Sequence, residues 1–336
     1  MSGIIISRTD RAGDLILTLP LFEAVRIKFP EAKLFAHVRS YTAPLLHGFE
    51  EEITIIPDVE NGNIFHKIKK LSQSFSQTNA DAAIIVHPSL TALSAAFLAK
   101  IPVRIGRASN VWQFFLNKPV YQGRSKNEKH EYEYNLDLLN GLDPFSPIPK
   151  VFPRLRLTHK AFTIAETMIP FRSFAIVHPG HGGSAYNLSI RKYVEIAEKL
   201  AKSGINIIVT AGPEEKNVIE AFKKLSEYEN IRILSSIPDL EQLSGVISRA
   251  KALICGSTGP LHIAAALNVP TAAFFPPVPA MTPVRWGPTG NRSLILLPEN
   301  AKCNRNSNCN SCLFAPCMEK IQIEKAIDWI RLSVSP

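Results

Sequence analysis

The chain has 336 residues, of which 46% are hydrophobic and 20% are charged, so it is long enough for two domains of ~150 residues and too apolar for an intrinsically disordered protein. Lys and Arg outnumber Asp and Glu by 38 to 29, and the formal net charge of +9 favours an anionic partner. Nucleic acid, anionic lipid headgroups and phosphorylated glycans all meet that description.

The first 155 residues alternate apolar runs with stretches of helical periodicity. Strands are predicted at residues 4–6, 34–38, 53–56 and 82–86, with a short one near residue 103. Helices are predicted between them at residues 15–28, 65–74 and 91–100. Because the apolar strands are continuous rather than alternating, the pattern predicts a parallel sheet with helices on both faces.

A basic segment follows the last of these helices. Between residues 100 and 130 the only acid is Glu128, and the cations are Lys100, Arg104, Arg107, Lys118, Arg124, Lys126 and Lys129. The same segment contains the aromatic residues Trp112, Phe114, Phe115 and Tyr121. Such a mixture suits contact with a membrane surface or a glycolipid, although a solvated basic loop with aromatic core residues is the ordinary alternative.

Residues 145–156 contain three prolines and interrupt the alternation, which predicts a linker between domains. After it, strands are predicted at residues 174–177, 205–210, 231–234, 252–254 and 271–275. Helices are predicted at residues 189–202, 214–226, 240–249 and 261–267, and a final amphipathic segment at residues 323–332. The repeated rhythm predicts an α/β protein with two doubly wound, Rossmann-like domains facing across a cleft.

The expected domains follow from the position of the linker. We expect an N-terminal domain at residues 1–155 and a C-terminal domain at residues 156–320. Residues 321–336 are expected to form a C-terminal helix that packs back towards the N-terminal domain.

The sequence shows neither a membrane-spanning segment nor a targeting signal. No run reaches ~18 apolar residues, and the N-terminus enters a strand pattern without the charged and apolar regions of a signal peptide, so we expect a cytoplasmic protein. The chain lacks G-x-G-x-x-G after its first strand and lacks a G-x-x-x-x-G-K-[ST] loop. These absences disfavour a hydride-transfer enzyme and a P-loop kinase.

The loop at residues 8–14 links the first strand to the first helix and carries both signs of charge. Asp14 lies near the start of that helix, where the helix N-terminus stabilises an ionised carboxylate. One hypothesis makes Asp14 a general base for an acceptor hydroxyl, with Arg8 and Arg11 holding a phosphate or carboxylate of the acceptor. The alternative is that Asp14 or Asp10 caps the helix and that the arginines are ordinary surface cations.

The loop at residues 256–262 links a later strand to a helix and is suited to holding phosphate. Ser257 or Thr258 can cap the helix, and Gly259 allows a ligand to approach the first N–H groups closely. Those N–H groups and the positive end of the helix dipole would bind a diphosphate, with His262 as a further donor. A well-capped structural helix with a buried histidine is the alternative.

A glycine-rich turn at residues 178–184 ends another strand of the same predicted domain. Three glycines in four positions permit the positive φ angles of an anion-binding nest. Together with the loop at residues 256–262, this turn predicts a candidate nucleotide-sugar site. Glu214 and Glu215 follow the next strand, near where a ribose would lie, although acids are also common in the first turn of any helix.

Four of the five cysteines lie close together in the sequence, and they are Cys303, Cys309, Cys312 and Cys317. Four thiolates at such spacings can form a structural zinc site, and the cytosol keeps thiols reduced enough for it. The spacing is not the paired C-x2-C pattern of a zinc ribbon, so reduced cysteines in a surface loop are the competing prediction.

Taken together, these segments resemble the lipopolysaccharide heptosyltransferases of glycosyltransferase family 9, which have the GT-B fold. The resemblance runs over nearly the whole chain. It rests on Arg8-x-Asp10-Arg11-x-Gly13-Asp14-x3-Thr18-Leu19-Pro20, Ile101-Pro102-Val103-Arg104-Ile105-Gly106, His178-Pro179-Gly180 and Ser257-Thr258-Gly259-Pro260-x-His262-x-Ala264-Ala265-Ala266-Leu267. It implies an inverting transfer of a heptose from ADP-heptose to a Kdo or heptose hydroxyl of a lipid A core glycan, without a metal ion or another cofactor.

The resemblance also implies that the N-terminal domain binds the acceptor and that the C-terminal domain binds the nucleotide sugar, and it implies roles for individual residues. Asp14 matches the catalytic base of the family, and the acceptor is expected to contact Arg8, Arg11 and Arg104. The donor site is expected to comprise Gly180, His181, Glu215, Ser257, Thr258, Gly259 and His262. The protein is then expected to act on an anionic glycolipid at the inner face of the inner membrane, as a peripheral protein without a nucleic-acid partner.

Two departures from the family pattern keep other functions open. Ser257 stands where many members have Asp, and residues 186–189 lack the Lys or Arg that members commonly have after the glycine-rich turn. Arg191 or Lys192 could supply that cation. The alternatives are a transferase for another nucleotide sugar, or a catalytically idle binding or scaffold protein with this fold. A nucleic-acid binder is supported by positive charge alone, without a recognition motif.

Overall fold

A computed structural model of the chain describes residues 1–108, 111–180, 186–212, 214–235, 237–290, 292–299, 303 and 317–334. The chain divides into two compact units, Met1–Arg156 and Leu157–Pro336. This division lies one residue from the boundary predicted after residue 155. Each unit contains a sheet of six parallel strands.

The first unit alternates strands with helices. Its strands are β1 (Gly3–Arg8), β2 (Lys33–Val38), β3 (Ile53–Pro57), β4 (Ala82–Ile85), β5 (Val103–Arg107) and β6 (Lys118–Val120). Its helices are α1 (Ala12–Ile16), α2 (Leu19–Lys28), α3 (Ile64–Gln77), α4 (Leu90–Leu98) and α5 (Glu131–Leu136). The strand order β3-β2-β1-β4-β5-β6 is that of a Rossmann domain, in which the direction of winding reverses between β1 and β4.

The helix predicted at residues 15–28 is in fact two helices, α1 and α2. Pro20 lies in the first turn of α2 and has no N–H to donate to a carbonyl of the preceding turn, so one continuous helix cannot pass through it. Thr18, between the two helices, is fully buried, and its hydroxyl donates to the Asp14 carbonyl at 2.8 Å. The junction of the two helices is therefore fixed close to Asp14. Strand β6 and helix α5 are further elements that the sequence pattern did not predict.

The second unit repeats the same plan. Its strands are β7 (Ala175–His178), β8 (Ile207–Thr210), β9 (Ile231–Leu234), β10 (Ala252–Gly256), β11 (Thr271–Phe274) and β12 (Ser293–Leu296). Its helices are α6 (His159–Met168), α7 (Ile190–Lys202), α8 (Lys216–Phe222), α9 (Leu240–Ser248), α10 (Gly259–Ala266), α11 (Pro283–Trp286) and α12 (Glu324–Val334). The order β12-β11-β10-β7-β8-β9 is again that of a Rossmann domain, with the reversal between β7 and β10.

The central strands of both sheets are covered on both faces. All six residues of β1 are buried, and so are all five residues of β10. Because successive side chains of a strand point to opposite faces, this burial requires apolar packing on each side of the sheet. The predicted α/β class with two doubly wound domains is confirmed.

Helix α12 ends the described part of the chain. Its residues Ala326, Ile327 and Ile330 are buried in the core of the second unit, where the helix packs against α7 and the strands β10, β11 and β12. The expectation that it also packs towards the N-terminal domain stays a prediction. Among the helices of the described residues, none has the length and apolar character needed to cross a bilayer.

Candidate active site

The direction of winding reverses once in each sheet. The reversal lies next to β1 in the first unit and next to β7 in the second. Parallel α/β sheets bind their ligands beyond the carboxyl ends of the strands at that place. Strand β1 ends at Arg8 and β7 ends at His178. The charged loop and the glycine-rich turn therefore begin where ligand-binding residues are expected.

The loop after β1 forms a buried charge cluster around Arg8. The Arg8 Nη2 atom lies 2.5 Å from Asp14 Oδ1, and the Arg8 Nε atom lies 2.7 Å from Asp10 Oδ1. The side chain of Arg8 is 4% exposed and that of Asp14 is 17% exposed. One guanidinium group thus holds both carboxylates of the loop, and Asp14 keeps an edge towards solvent.

Helix α5 and the residues before it add a third carboxylate and a second guanidinium group. Glu131 Oε1 lies 3.6 Å from Arg8 Nη2 and accepts a hydrogen bond from Arg124 Nη1 at 2.5 Å. Asn135 Oδ1 accepts from both arginines at 3.3 Å, and Asn135 Nδ2 donates to the Leu17 carbonyl at 2.9 Å. The buried cluster therefore fastens α5 to the junction between α1 and α2.

The acidity of Asp14 is set by this environment. Burial raises its pKa, the Arg8 guanidinium opposes that rise, and Asp10 and Glu131 add to it, so that the pKa of Asp14 is about 6. Near neutral pH the carboxylate is ionised but much more basic than an exposed aspartate. A carboxylate with a pKa close to the working pH is well suited to accept a proton during a reaction.

Further side chains from other strand ends join the cluster. The Tyr41 hydroxyl donates to the Asp10 carbonyl at 3.1 Å, and His87 Nδ1 lies 3.4 Å from Asp10 Oδ2. Burial lowers the pKa of His87, Asp10 opposes this, and the nearby cations Arg8 and Arg107 lower it further. Tyr41, His87 and Arg107 were not predicted as site residues. The signal that could have found them is their position at the end of, or just after, a predicted strand.

Arg11 and Arg104 are placed differently from Arg8. Arg11 is exposed and is the N-cap residue of α1, the helix that carries Asp14. Arg104 is the second residue of β5, and its guanidinium group donates to the carbonyls of Phe115 and Ile101, each at 2.7 Å. Arg104 therefore lies in the half of the strand that is remote from the carboxyl-end cluster, and its donors are used within the protein.

In the second unit, Glu215 folds back onto the end of β7. Its Oε2 atom accepts a hydrogen bond from the Gly212 N–H group at 2.8 Å. A Cβ atom at Gly180 would lie 2.0 Å from the same oxygen, so a side chain at this position would displace the carboxylate. The structure thus brings together Gly180 and Glu215, two of the residues predicted for the donor site.

Three basic residues of the described ranges lie close in sequence to the segment 186–189, which lacks the cation of the family pattern, and they are His178, Arg191 and Lys192. Burial lowers the pKa of His178 to about 4, although Glu215 and a hydrogen bond with Thr210 oppose the shift, so His178 is neutral near pH 7. The Lys192 ammonium group donates to the Ile321 carbonyl at 2.9 Å. Arg191 is exposed.

Asn187 joins the ends of β7 and β10. Its Nδ2 atom donates to the Pro179 carbonyl at 3.0 Å, and its Oδ1 atom accepts from the buried Tyr193 hydroxyl at 2.6 Å. A Cβ atom at Gly256 would lie 2.4 Å from Asn187 Oδ1, so the amide group approaches the backbone of β10 closely. The sequence pattern predicts no role for Asn187, because its partners lie on separate elements.

The remaining predicted donor residues surround the start of α10. Thr258 is the N-cap residue, but its side chain makes no capping bond and instead donates to the Gly256 carbonyl at 3.4 Å. His262 is buried, whereas Ser257 and Gly259 are half-buried. Strand β10 pairs with β7, so this segment and Gly180 follow neighbouring strands of one sheet.

Some predicted residues lie outside the described part of the chain. His181 is one of them, and Cys309 and Cys312 are others, whereas Cys303 and Cys317 lie within it. The two alternatives for the four cysteines, a zinc site or reduced cysteines in a surface loop, therefore both stay open. Within the described ranges, no group of three or more His, Cys, Asp or Glu side chains is arranged to hold a metal ion.

Comparison with known proteins assigns this chain to a family of glycosyltransferases. The sequence profile of glycosyltransferase family 9 (heptosyltransferase) matches residues 68–314. A Haemophilus influenzae protein, assigned only to the general class of glycosyltransferases, is 29% identical over 301 residues, which cover 86% of each chain.

Two solved structures share the fold over nearly their full length. The ADP-heptose lipopolysaccharide heptosyltransferase II of Escherichia coli has a TM-score of 0.81 at 18% identity, covering 99% of this chain and 98% of its own. The family 9 glycosyl transferase of Veillonella parvula has a TM-score of 0.85 at 16% identity, covering 99% and 97%. With its two Rossmann-like domains in the GT-B fold and a profile match over most of its length, this chain belongs to glycosyltransferase family 9, the heptosyltransferase family.

Proposed function

We propose that this protein transfers a heptose from ADP-heptose to a sugar hydroxyl of a lipopolysaccharide core glycan. Its family supports the transferred sugar, and the name of its Escherichia coli structural neighbour supports the donor and the acceptor class. The observation that carries the proposal is Asp14, a partly buried carboxylate beyond β1 that Arg8 holds at 2.5 Å and whose pKa is about 6.

In the proposed reaction Asp14 accepts the proton of the acceptor hydroxyl. The hydroxyl oxygen then forms a bond to the anomeric carbon of the heptose while the bond from that carbon to the diphosphate oxygen breaks. ADP leaves with the bonding electrons, and the configuration at the anomeric carbon inverts because attack and departure occur on opposite faces. The step needs no metal ion if N–H groups and side chains of the protein stabilise the diphosphate.

The donor is proposed to bind in the second unit, beyond β7 and β10. Thr258, Gly259 and His262 would contact the diphosphate at the start of α10, with Ser257 beside them. Glu215 would accept hydrogen bonds from the ribose hydroxyls, and Gly180 would let the nucleotide approach the end of β7. His181 completes the proposed set. Support comes from the placement of the described members of this set after β7, β8 and β10, which are three adjacent strands of one sheet.

The acceptor is proposed to bind at the charged loop of the first unit. Arg11 is exposed at the start of α1 and would contact a phosphate or carboxylate of the acceptor. Arg8 is 4% exposed and contacts three carboxylates, so its contribution would be to hold Asp14 rather than to touch the acceptor. Arg104 is left out of the proposed acceptor site, because its guanidinium group is bonded to backbone carbonyls.

An acceptor of this class is anchored in a lipid bilayer. We therefore place the protein at the inner face of the inner membrane as a peripheral protein. The positive net charge supports that location, because it raises the affinity for anionic lipid surfaces.

The test is a transfer assay with a panel of nucleotide sugars, including ADP-heptose, other ADP sugars and UDP sugars. We expect transfer from ADP-heptose to a Kdo-containing acceptor, and a loss of about 10³-fold in the rate for Asp14→Asn, since general base catalysis typically contributes that much. ADP binding by calorimetry should be unchanged in this variant, because the proposed donor contacts lie in the second unit. Asp58→Asn, a partly buried aspartate paired with His37, is the matched control and should keep its activity.

Two results would contradict the proposal. Transfer by Asp14→Asn within tenfold of the wild-type rate would remove the assignment of the base. Absence of transfer and of binding for every nucleotide sugar would favour a catalytically idle protein with this fold.

A second candidate donor is kept because of one observation. Lys192, one of two residues that could replace the missing cation of the family, donates to the Ile321 carbonyl instead. Residues 186–189 also lack the cation of the family pattern, and a different nucleotide sugar is the alternative. Faster transfer from a donor other than ADP-heptose in the same panel would decide in its favour.

A further inference from the structure

An exposed apolar surface lies at the end of α4 and on the 3₁₀ turn Val111–Phe115 that packs against this helix. We call this surface the α4 patch, and it comprises Phe97, Leu98, Val111, Trp112 and Phe114. These five side chains are between 36% and 71% exposed. Large apolar side chains that cluster on a surface, rather than occurring singly, indicate a place where another apolar phase binds.

The α4 patch is held in a fixed shape by ring contacts. The Phe115 ring contacts Phe97 at a centroid distance of 5.5 Å and Phe114 at 4.1 Å. Arg104 covers the Phe97 ring at 5.3 Å, while its guanidinium group donates to the carbonyls on either side of the patch. The rings of Phe97 and Phe114 are therefore packed against Phe115, and such contacts reduce the conformational entropy that is lost on binding.

The chain segments that carry these rings are positively charged. Residues 82–127 contain six Lys and Arg and no Asp or Glu, and of the six only Arg124 is buried and paired with Glu131 in the charge cluster. Helix α3, which packs against α4, adds Lys67, Lys69 and Lys70 and also contains no acid. Lys100 and Lys118, on either side of the 3₁₀ turn in sequence, are exposed, and neither has a carboxylate partner among the residues that the structure describes.

We propose that the α4 patch docks the protein on an anionic phospholipid bilayer, with the aromatic rings entering the headgroup region and the flanking lysines contacting lipid phosphates. Aromatic side chains beside lysines prefer the boundary between water and lipid, whereas an apolar protein partner would not require a surface without acids. The inference rests on the proposed function, which places the acceptor in a membrane, and it names the surface that meets that membrane.

The test uses the full-length protein and vesicles of phosphatidylcholine, alone or mixed in equal amounts with phosphatidylglycerol. We expect co-sedimentation with the mixed vesicles and loss of it at high salt, because the lysine contacts are screened. The difference in emission between wild type and Trp112→Phe isolates the fluorescence of Trp112. That emission should shift to shorter wavelength when mixed vesicles are added and not when neutral vesicles are added.

Variants separate the apolar contribution from the charge. Phe114→Ser should weaken partitioning about tenfold, and Lys100→Gln and Lys118→Gln should each weaken it roughly fivefold. Phe145→Ser is the matched control, since Phe145 is 97% exposed and lies outside the patch. Each variant should keep wild-type transfer to a lipid-free acceptor, so a failure of docking can be told apart from a failure of the proposed reaction.

Several outcomes would overturn the proposal. One is that the protein does not bind mixed vesicles, and another is that Phe114→Ser and Phe145→Ser partition equally well. A third is concentration-dependent dimerisation in ultracentrifugation that Phe114→Ser abolishes, which would make the patch an interface between two copies of the chain.

Discussion

The guanidinium group of Arg8 lies 2.5 Å from the carboxylate of Asp14, and both side chains are largely removed from solvent. The same guanidinium group also contacts Asp10 and, at 3.6 Å, Glu131. With Arg124 the cluster contains three acids and two permanent cations, so its full ionisation leaves one negative charge in excess. The ionisation of Asp14 is therefore governed by buried neighbours and can be shifted by changing them.

The first prediction concerns the pH dependence of transfer. Since Asp14 must be ionised to accept a proton, kcat/KM should fall as the pH is lowered through about 6. Glu131→Gln removes a neighbouring negative charge that raises the pKa of Asp14, so the acidic limb should move to lower pH, by about half a unit. Pre-steady-state or steady-state rates of both proteins across the acidic range measure the shift. Glu128→Gln changes an exposed acid and should leave the limb in place.

The second prediction concerns stability and the same carboxylate. The pKa of Asp14 is higher in the folded protein than its ordinary value of 3.8, so the folded state binds a proton more tightly than the unfolded chain does. The stabilisation from that proton is complete below about pH 4 and is lost as the pH rises through about 6. Asp14→Asn should therefore show a smaller decrease in the free energy of unfolding across this range. Equal slopes for wild type and variant in urea unfolding would contradict the raised pKa.

The third prediction tests the amide that fastens α5 to the cluster. Asn135 is fully buried, accepts hydrogen bonds from two arginines and donates to the Leu17 carbonyl. Asn135→Ala leaves these groups with fewer partners, so the free energy of unfolding should fall by about 2–3 kcal/mol. Asn140→Ala, an exposed position in the next turn of chain, should change it by less than about 0.5 kcal/mol. Similar values for both variants would show that the Asn135 contacts contribute little.

The fourth prediction separates binding from stability at Gly180. A Cβ atom there would meet the carboxylate of Glu215, which is the end of a flexible side chain and can move aside. Gly180→Ala should therefore leave the free energy of unfolding nearly unchanged while weakening ADP binding by about tenfold, because Glu215 is displaced from the proposed ribose site. Calorimetry and thermal unfolding measure the two effects.

Gly123→Ala, where the nearest atom is 3.5 Å from the added Cβ, is the control for this prediction. Unchanged ADP affinity in Gly180→Ala would remove Glu215 from the proposed donor site.

The fifth prediction concerns the link between β7 and β10. The Tyr193 hydroxyl is buried and donates to Asn187 Oδ1 at 2.6 Å. In a double-mutant cycle of Tyr193→Phe and Asn187→Ala, the coupling in the free energy of unfolding should be about 1 kcal/mol or more. Additive effects of the two substitutions would mean that this hydrogen bond contributes nothing to stability.

Local sequence was sufficient for the fold class and for part of the site. The apolar runs at residues 3–6 and 252–255 are uninterrupted, and they form most of the central strands β1 and β10. Asp14 and the start of α10 could be located because each follows such a run. Helix α5 escaped prediction because it has six residues, too few for a periodic pattern to be recognised. Strand β6 has three residues and contains a proline, which is typical of an edge position and weakens any strand signal.

The sequence by itself determined the two Rossmann-like domains and the loops at which chemistry is expected. Local runs of apolar residues indicate buried strands, and the polar and glycine residues that follow a run indicate where the strand ends. Only the tertiary structure decided which side chains surround Asp14. Asn135 is 127 positions from Arg8, and Glu131 is nearly as far, so no local pattern connects them. The parallel sheet gathers the ends of distant strands at one edge, and it is this gathering that sets the burial, the charges and hence the basicity of the proposed catalytic carboxylate.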